Sequence, residues 1–252
     1  MKKTLFLAIV MIATLASAPA FAYYWTDEFS DATSMAANWT NTSATYLMTF
    51  DAARNAPVST GGSAASANSG TRIYHCLGTD LSGAFTASWY IYDDTQARAW
   101  GEMQSRTGGV YSGGLNQIFA AGKYNTVTMT GEVYSGLYYQ ARLLYGTTGQ
   151  TGWFNLNGTG APKRATGWHK FTVERLADGT TMNYYVDDIL SRTLTGASNV
   201  AMNVVVLGGG TGTTAGTCWY DKPVVSQVPE PGSLLALGTG LIGLLGLVRP
   251  KK

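Results

Sequence analysis

The feature that most constrains the fold of this chain is the stretch GWHKFTVERLADGTTMNYYVDD, residues 167–188, in which apolar and polar residues alternate. Phe171 and Val173 alternate with polar residues before an Asp-Gly pair, and Tyr184 and Val186 do so after it. A period of two is that of an extended strand with one buried face, and Asp-Gly is a strong signal for a tight turn. The stretch therefore predicts an antiparallel β-hairpin.

The rest of the chain between residues 23 and 226 has the same character. Residues 84–92 also alternate, with Phe85, Ala87 and Trp89 on one side. No stretch keeps a helical period for more than a turn or two, and short runs rich in Thr, Val and aromatic residues are separated by Gly, Asn and Asp. About 200 residues are ample for one core. We predict a single all-β, predominantly antiparallel domain.

The first 22 residues have the three parts of a secretory signal peptide. Two lysines precede an apolar run over residues 4–15, and an A-x-A site ends at Ala22. We predict a helical signal peptide over residues 1–22 that directs the chain to the Sec translocon and is cleaved between Ala22 and Tyr23. The alternative is an uncleaved anchor helix, but the apolar run is short for a membrane span.

The C-terminus holds a second apolar segment, residues 232–248, which contains no charged residue. At a rise of about 1.5 Å per residue such a helix reaches about 25 Å, the short limit for crossing a bilayer. The basic tail at residues 249–252 would then lie on the cytoplasmic side. We predict a transmembrane helix over residues 232–248. The alternative, a buried helix of a soluble domain, does not explain why every charge lies outside the segment.

Just before this segment the chain reads Val228-Pro229-Glu230-Pro231. This motif, the helix and the basic tail, together residues 227–252, resemble the PEP-CTERM sorting signal of Gram-negative bacteria. The resemblance implies recognition by an exosortase, a membrane protease. It further implies an intermediate anchored in the inner membrane, followed by release to the cell surface or the exopolysaccharide matrix. Glu230 is then part of a sorting signal and not of an active site.

The predicted processing changes the charge of the protein. The precursor carries a formal charge of +2, but five of its 17 basic residues lie in the two end segments. The remaining domain, residues 23–226, holds 12 basic and 14 acidic residues and is mildly acidic. Such a balance argues against nucleic acid as a partner.

Three parts of the domain resemble laminin-G-like and concanavalin A-like jelly rolls. The 167–188 hairpin resembles their "GWH…V…DG…YVDG" hairpin, residues 218–225 resemble their last strand, and residues 27–31 with Trp39 resemble their opening strand. The resemblance implies an antiparallel sandwich of two sheets over residues 23–226. The fold is shared by many functions, so it implies no particular activity.

Cys76 and Cys218 are the only cysteines, and the chain is bound for an oxidising compartment, so we predict that they form a disulfide. In the jelly-roll fold the first and last strands are close, which would place residues 71–77 beside residues 217–225. The alternative is two separately buried thiols.

The sequence offers little support for catalysis. Laminarinase-type hydrolases of this fold carry E-x-D-x-x-E or E-x-D-x-E on one strand, which supplies the two carboxylates of the reaction. None of the four glutamates of the domain, at positions 28, 102, 132 and 174, lies in such a motif. His75 and His169 lack a G-x-S-x-G partner and are predicted to be structural. We predict no catalytic residues. The alternative, a polysaccharide hydrolase or lyase, needs carboxylates from distant strands.

Two aspartate pairs, Asp93-Asp94 and Asp187-Asp188, follow predicted strands. Carboxylates in loops are the ligands that Ca²⁺ prefers, and a structural Ca²⁺ is the one cofactor that these residues could bind. Paired aspartates after a strand are more often simple turn residues, and this alternative is favoured. No other metal site is predicted.

One set of polar and aromatic residues suggests a glycan-binding face. Flat rings can cover the apolar side of a sugar, and planar amide or guanidinium groups can pair with its hydroxyls. The candidates lie at alternating positions of two predicted strands: Trp100, Glu102, Gln104, Arg106, Tyr138, Gln140 and Arg142. The alternative is an ordinary solvated sheet face. We therefore expect a non-enzymatic surface or matrix protein that binds extracellular polysaccharide, or else a purely structural matrix component.

Overall fold

The computed structural model describes residues 22–68, 70–94, 98–145, 149–209 and 215–227. Most of the predicted signal peptide and nearly all of the predicted sorting signal, with its motif and helix, lie outside these ranges. Within them, no helix combines the length and the apolar character that a membrane span requires.

The described part of the chain contains fifteen strands, one short α-helix, α1 (Ala32–Asn38), and one 3₁₀ turn (Thr107–Gly109). The strands are β1 (Tyr23–Thr26), β2 (Thr40–Asn41), β3 (Met48–Asp51), β4 (Ser63–Asn68), β5 (Arg72–Leu81), β6 (Phe85–Asp93), β7 (Ala99–Arg106), β8 (Leu115–Lys123), β9 (Gln140–Tyr145), β10 (Gly149–Asn155), β11 (Gly167–Arg175), β12 (Met182–Val186), β13 (Ile189–Leu194), β14 (Met202–Gly208) and β15 (Ala215–Gln227).

The strands form two sheets. One has the order β13-β12-β11-β6-β15-β4-β3, with β1 added to β15, and the other has the order β10-β9-β8-β7-β14-β5-β2. Every ladder along these two paths is antiparallel. The predicted all-β, antiparallel two-sheet sandwich is confirmed.

The hairpin predicted from residues 167–188 is strands β11 and β12, which pair from Phe171 opposite Val186 to Arg175 opposite Met182. The turn between them is held by the Asp178 carboxylate, which accepts hydrogen bonds from the backbone N–H groups of the next two threonines. Gly179 adopts a positive φ of 71°, which glycine tolerates without strain.

The two sheets meet at Trp89 of β6, whose side chain is fully buried. Its indole N–H donates to the carbonyl of Ala121 on β8, at 3.2 Å. A Cβ atom placed on Gly101 of β7 would overlap the Trp89 ring, so the glycine lets the indole lie against the opposite sheet. Residues 24–226 form one compact unit that includes this core, and we expect the domain to fold without the end segments.

The predicted disulfide is wrong. Cys76 lies on β5 in the seven-stranded sheet, Cys218 lies on β15 in the eight-stranded sheet, and both are free thiols. The reason is that β5 pairs with β14 and β2, while the place beside β15 is taken by β4 and β6. Burial raises the pKa of the Cys218 thiol to about 12, which makes this cysteine a poor nucleophile.

We expect the substitution Gly101→Ala to lower the free energy of unfolding by about 1–3 kcal/mol, because the new methyl group has to displace the buried Trp89 ring. Gly136→Ala is the matched control, since the nearest atom to its added Cβ is 3.8 Å away. Urea unfolding of the two variants gives the comparison. Equal stability of both variants would contradict the close approach of the sheets at Gly101.

Candidate binding groove on the seven-stranded sheet

Strand β7 lies in the middle of the seven-stranded sheet, between β8 and β14. Successive side chains of a strand point to opposite faces. Since Gly101 faces the core and Trp89, the even-numbered residues of β7 face outward. These are Trp100, Glu102, Gln104 and Arg106, so the residues that the sequence singled out on this strand share one face.

On this face the structure forms a cavity of about 180 Å³, which we call the groove. Strands β5, β7, β8, β9 and β10 and the segments beside them contribute its lining: Arg72, Arg98, Trp100, Glu102, Gln104, Arg106, Leu115, Ile118, Tyr124, Arg142 and Trp153. Pockets that enclose a drug-sized ligand measure roughly 300–1,000 Å³. The groove is smaller, and it can take a small polar unit but not enclose a long ligand.

Glu102 is the centre of the groove floor and is 5% exposed. Its carboxylate accepts a hydrogen bond from the Trp100 indole N–H at 2.5 Å and another from the Gln104 side-chain amide, and it lies 2.8 Å from an Arg72 guanidinium nitrogen. A buried charge is tolerated only when it is paired and hydrogen-bonded, and this one is both. Burial works against the charged form of Arg72, but Glu102, together with Tyr111 and Tyr220, outweighs burial and raises the pKa of Arg72.

The polar floor continues along β7. The Arg106 Nε–H donates to the Gln104 side-chain oxygen at 2.7 Å, and a second Arg106 nitrogen donates to the carbonyl of Gly113 at 3.0 Å. The Arg106 guanidinium also lies over the ring of Tyr111, 4.6 Å from its centre. These contacts hold Gln104 and Arg106 in one arrangement before any ligand arrives.

Three aromatic side chains form a wall beside this floor. The rings of Tyr124 and Trp153 stack with a centroid distance of 4.3 Å, and Trp100 lies nearly perpendicular to both, at 5.3 and 5.0 Å. The Arg98 guanidinium lies over the Tyr124 ring at 4.8 Å. The groove thus combines an apolar wall with guanidinium, amide and carboxylate groups.

The structure brings together five of the seven residues predicted to bind glycan: Trp100, Glu102, Gln104, Arg106 and Arg142. The other two are elsewhere. Gln140 is fully buried, and its side chain accepts from the Tyr124 backbone N–H at 3.0 Å and donates to the Tyr138 carbonyl. Tyr138 precedes β9 and forms a single bridge with Lys163. Gln140 therefore positions the aromatic wall, and Tyr138 does not line the groove.

Sequence reasoning missed three important lining residues, namely Arg72, Tyr124 and Trp153. Arg98, which also lines the groove, has the same even-numbered alternation as Trp100 and Glu102, so its place on this face was predictable. Arg72 reaches the groove because β5 lies next to β14, which pairs with β7, although about 30 residues of chain separate it from Glu102. Trp153 reaches it because β10 pairs with β9, where Trp153 lies opposite Arg142. The strand order that brings these residues together has no local signal in the sequence.

The first aspartate pair, a calcium candidate in the sequence, forms ion pairs with basic side chains. The Lys123 ammonium lies 2.8 Å from Asp93 and 3.1 Å from Asp94, and the Arg164 Nε lies 3.2 Å from Asp93. Lys123 and Asp93 are both almost fully buried. The cation that Asp93 needs in this buried place is therefore a lysine side chain.

The second pair likewise meets cations from its own hairpin. Asp187 lies 2.7 Å from the His169 ring, and Asp188 lies 2.8 Å from the Lys170 ammonium. Across the ranges that the structure describes, no three His, Cys, Asp or Glu side chains come together as metal ligands would. All four aspartates therefore take part in ion pairs within the fold, and calcium binding by them stays untested.

Residues 227–250 match the family model of the PEP-CTERM protein-sorting motif. The chain carries a PEP-CTERM sorting signal. This signal implies processing by an exosortase and export to the cell envelope or surface, as the sequence predicted. The predicted signal peptide, its cleavage site and the transmembrane helix stay predictions.

The chain has no match among curated proteins. Its structure is similar to the globular domain of T. cruzi calreticulin, with a TM-score of 0.52 and 8% identity over 90% of this chain and 100% of that one. It is equally similar to the winged bean acidic lectin complexed with methyl-α-D-galactose, with a TM-score of 0.52 and 8% identity over 83% of this chain and 100% of that one. At this identity the likeness shows the fold alone, and it confirms the predicted jelly roll.

His169 allows a test of the charges around the hairpin turn. Its two ring nitrogens face the Asp187 carboxylate at 2.7 Å and the Ala165 carbonyl at 3.0 Å, and only the protonated ring can donate to both. Burial disfavours the charged ring, but these contacts outweigh burial and raise the pKa of His169. Its stabilising effect is therefore complete below pH ~6.5 and is lost as the pH rises through the higher folded-state pKa.

We expect NMR titration of the domain to give a His169 pKa above about 6.5, and Asp187→Asn to lower it. Asparagine tolerates the positive φ of 50° at this position, so the variant keeps the turn. The stability difference between wild type and variant should shrink as the pH rises. A His169 pKa that is unchanged by Asp187→Asn contradicts this account of the turn.

Proposed function

We propose that this PEP-CTERM protein is a non-enzymatic polysaccharide-binding protein of the cell surface or extracellular matrix, released there after exosortase processing. The observation that carries the proposal is the groove, in which an aromatic wall stands beside a row of planar polar side chains on β7. The sorting signal at residues 227–250 supports an extracellular place of action.

The groove has the two properties that sugar recognition needs. A sugar ring has apolar C–H faces that pack against aromatic surfaces, here Trp100, Tyr124 and Trp153. Its hydroxyls pair with groups that donate and accept in fixed geometry, and Gln104 and Arg106 are held in place for this by their own contacts. The similar fold of the winged bean lectin, complexed with methyl-α-D-galactose, supports sugar binding by such a sandwich.

The carboxylates of the groove favour binding over hydrolysis. Glycoside hydrolysis uses two carboxyl groups, roughly 5–5.5 Å apart in retaining enzymes and roughly 6.5–9.5 Å apart in inverting ones. Among the described residues that line the groove, Glu102 is the sole carboxylate. The next two outward positions of the same strand hold an amide, Gln104, and a guanidinium, Arg106. The Glu102 carboxylate already accepts hydrogen bonds from Trp100 and Gln104 and forms an ion pair with Arg72.

The test is binding of the isolated 23–226 domain to a broad panel of immobilised glycans. We expect at least one glycan to bind, and Trp100→Ala to weaken that binding by about tenfold or more, since the variant removes one side of the aromatic wall. Trp168→Ala is the matched control: Trp168 is half-buried on β11, in the other sheet. It should bind like the wild type.

The rival functions give different results in the same experiment. A purely structural matrix component would bind none of the glycans. A hydrolase would release new reducing ends from a bound polysaccharide, and a lyase would release unsaturated sugar ends. Either of these activities would contradict the non-enzymatic role. Because Trp100 is largely buried, the thermal midpoint of each variant is measured first, and Arg142→Met serves as a second variant if Trp100→Ala does not fold.

A further inference from the structure

We propose that the sugar unit bound in the groove is anionic, a uronic acid or a sulfated sugar; this rests on the proposed polysaccharide binding and deepens it. The starting observation is the charge of the lining residues. Four of them are arginines, Arg72, Arg98, Arg106 and Arg142, and one, Glu102, is acidic. The domain as a whole carries more acidic than basic residues. The positive charge of the groove is thus opposite in sign to that of the domain.

Most basic side chains of the domain that lie outside the groove are used within the fold. Lys123 and Arg164 pair with Asp93, Arg192 pairs with Glu132, and the fully buried Arg175 donates to three backbone carbonyls. In the groove only Arg72 has a carboxylate partner, Glu102. Across the described ranges, Arg98, Arg106 and Arg142 take part in no ion pair. Three positive charges therefore meet in one cavity without a protein anion to balance them.

The arginines of the groove also have hydrogen-bond donors for which the described residues provide no acceptor. The Nε atoms of Arg72, Arg98 and Arg142 are shielded from solvent and have no hydrogen-bond partner within the described part of the chain. A buried donor that is left unpaired costs free energy, and native structures rarely keep one without a reason. The shielded Nε atoms face no protein acceptor among the described residues, so the fold itself leaves the guanidinium groups of Arg98 and Arg142 unneutralised, and a ligand that balances them has to approach their terminal nitrogens.

A carboxylate or sulfate group fits this requirement better than a hydroxyl group. Guanidinium groups bind such oxyanions through paired, charge-assisted hydrogen bonds, which are roughly twice as strong as neutral ones. Glu102 cannot provide this anion for all four arginines, because its oxygens already accept from Trp100 and Gln104 and pair with Arg72. The aromatic wall then takes the apolar face of the same sugar, and the two features recognise one acidic ring.

The test compares binding of four soluble polymers to the 23–226 domain by calorimetry: polygalacturonate, the same polymer with its carboxyl groups reduced to alcohols, dextran sulfate and dextran. We expect binding of a charged polymer, and at least tenfold weaker binding of its neutral counterpart. A preference for polygalacturonate assigns a carboxylate as the bound group, and a preference for dextran sulfate assigns a sulfate ester. Because the attraction is electrostatic, the affinity should also fall as salt is added.

Arginine variants decide whether the groove is responsible. Arg142→Gln and Arg98→Gln each remove one unpaired charge from the groove and should weaken binding of the preferred polymer by about tenfold. Arg54→Gln is the matched control: it makes the same change in net charge, but Arg54 lies over Tyr92 and Trp219 in the other sheet. It should bind within about twofold of the wild type. Thermal unfolding checks that all three variants are folded.

Each contrary result has a definite meaning. Equal binding of charged and neutral polymers, or binding only of neutral glycans from the broad panel, overturns the anionic preference and leaves polysaccharide binding intact. Equal weakening by Arg54→Gln and by the groove variants also overturns it, since the attraction would then be a property of the whole surface. No binding to these four polymers or to the panel contradicts the proposed function itself.

Discussion

The contact of the Trp89 indole with Gly101 on the opposite sheet is the constraint on which the rest of the structure depends. It joins the two layers of the sandwich and fixes which side of β7 is the inner one. Because side chains alternate along a strand, the outward side of β7 must then carry Glu102 and Arg106. A shift of one residue would turn these charged groups into the core, where they would have no partners. The register of β7 is therefore strongly specified, and the groove follows from it.

The groove is organised before a ligand binds. Glu102 holds Trp100, Gln104 and Arg72 around itself, and the buried Gln140 fixes the backbone of Tyr124 in the aromatic wall. Side chains that are already in place lose little conformational entropy on binding. The same arrangement leaves guanidinium charges and donors without protein partners. It thus favours a ligand that brings its own negative charge.

Much of this could be predicted from local sequence patterns. The Asp-Gly turn and the alternation around it are short-range signals, and the hairpin formed as they indicate. The β7 residues of the groove were also found, since alternation decides which residues share a face. The PEP-CTERM motif was visible for a different reason: a protease reads it as a short linear segment, so that its order along the chain is enough to recognise it.

What the sequence could not reveal depends on pairing between distant strands. A disulfide between Cys76 and Cys218 requires that β5 lies next to β15, but β4 and β6 occupy the two places beside β15. Arg72 and Trp153 reach the groove only through the order of the strands in the seven-stranded sheet. Alternation along β9 gives Gln140 and Arg142 the same face. It does not show that the Gln140 side chain is already hydrogen-bonded to the backbone N–H of Tyr124.

Ligand binding on the outward face of the seven-stranded sheet is what the groove requires. The most direct test is to follow the seven tryptophan indole N–H signals by NMR while an oligogalacturonate is added to the 23–226 domain. We expect the signals of Trp100 and Trp153 to move, because these rings form the wall of the groove. The signals of Trp168 and Trp219, which lie in the other sheet, should stay in place. Movement of Trp168 and Trp219 with Trp100 and Trp153 unchanged would contradict the account.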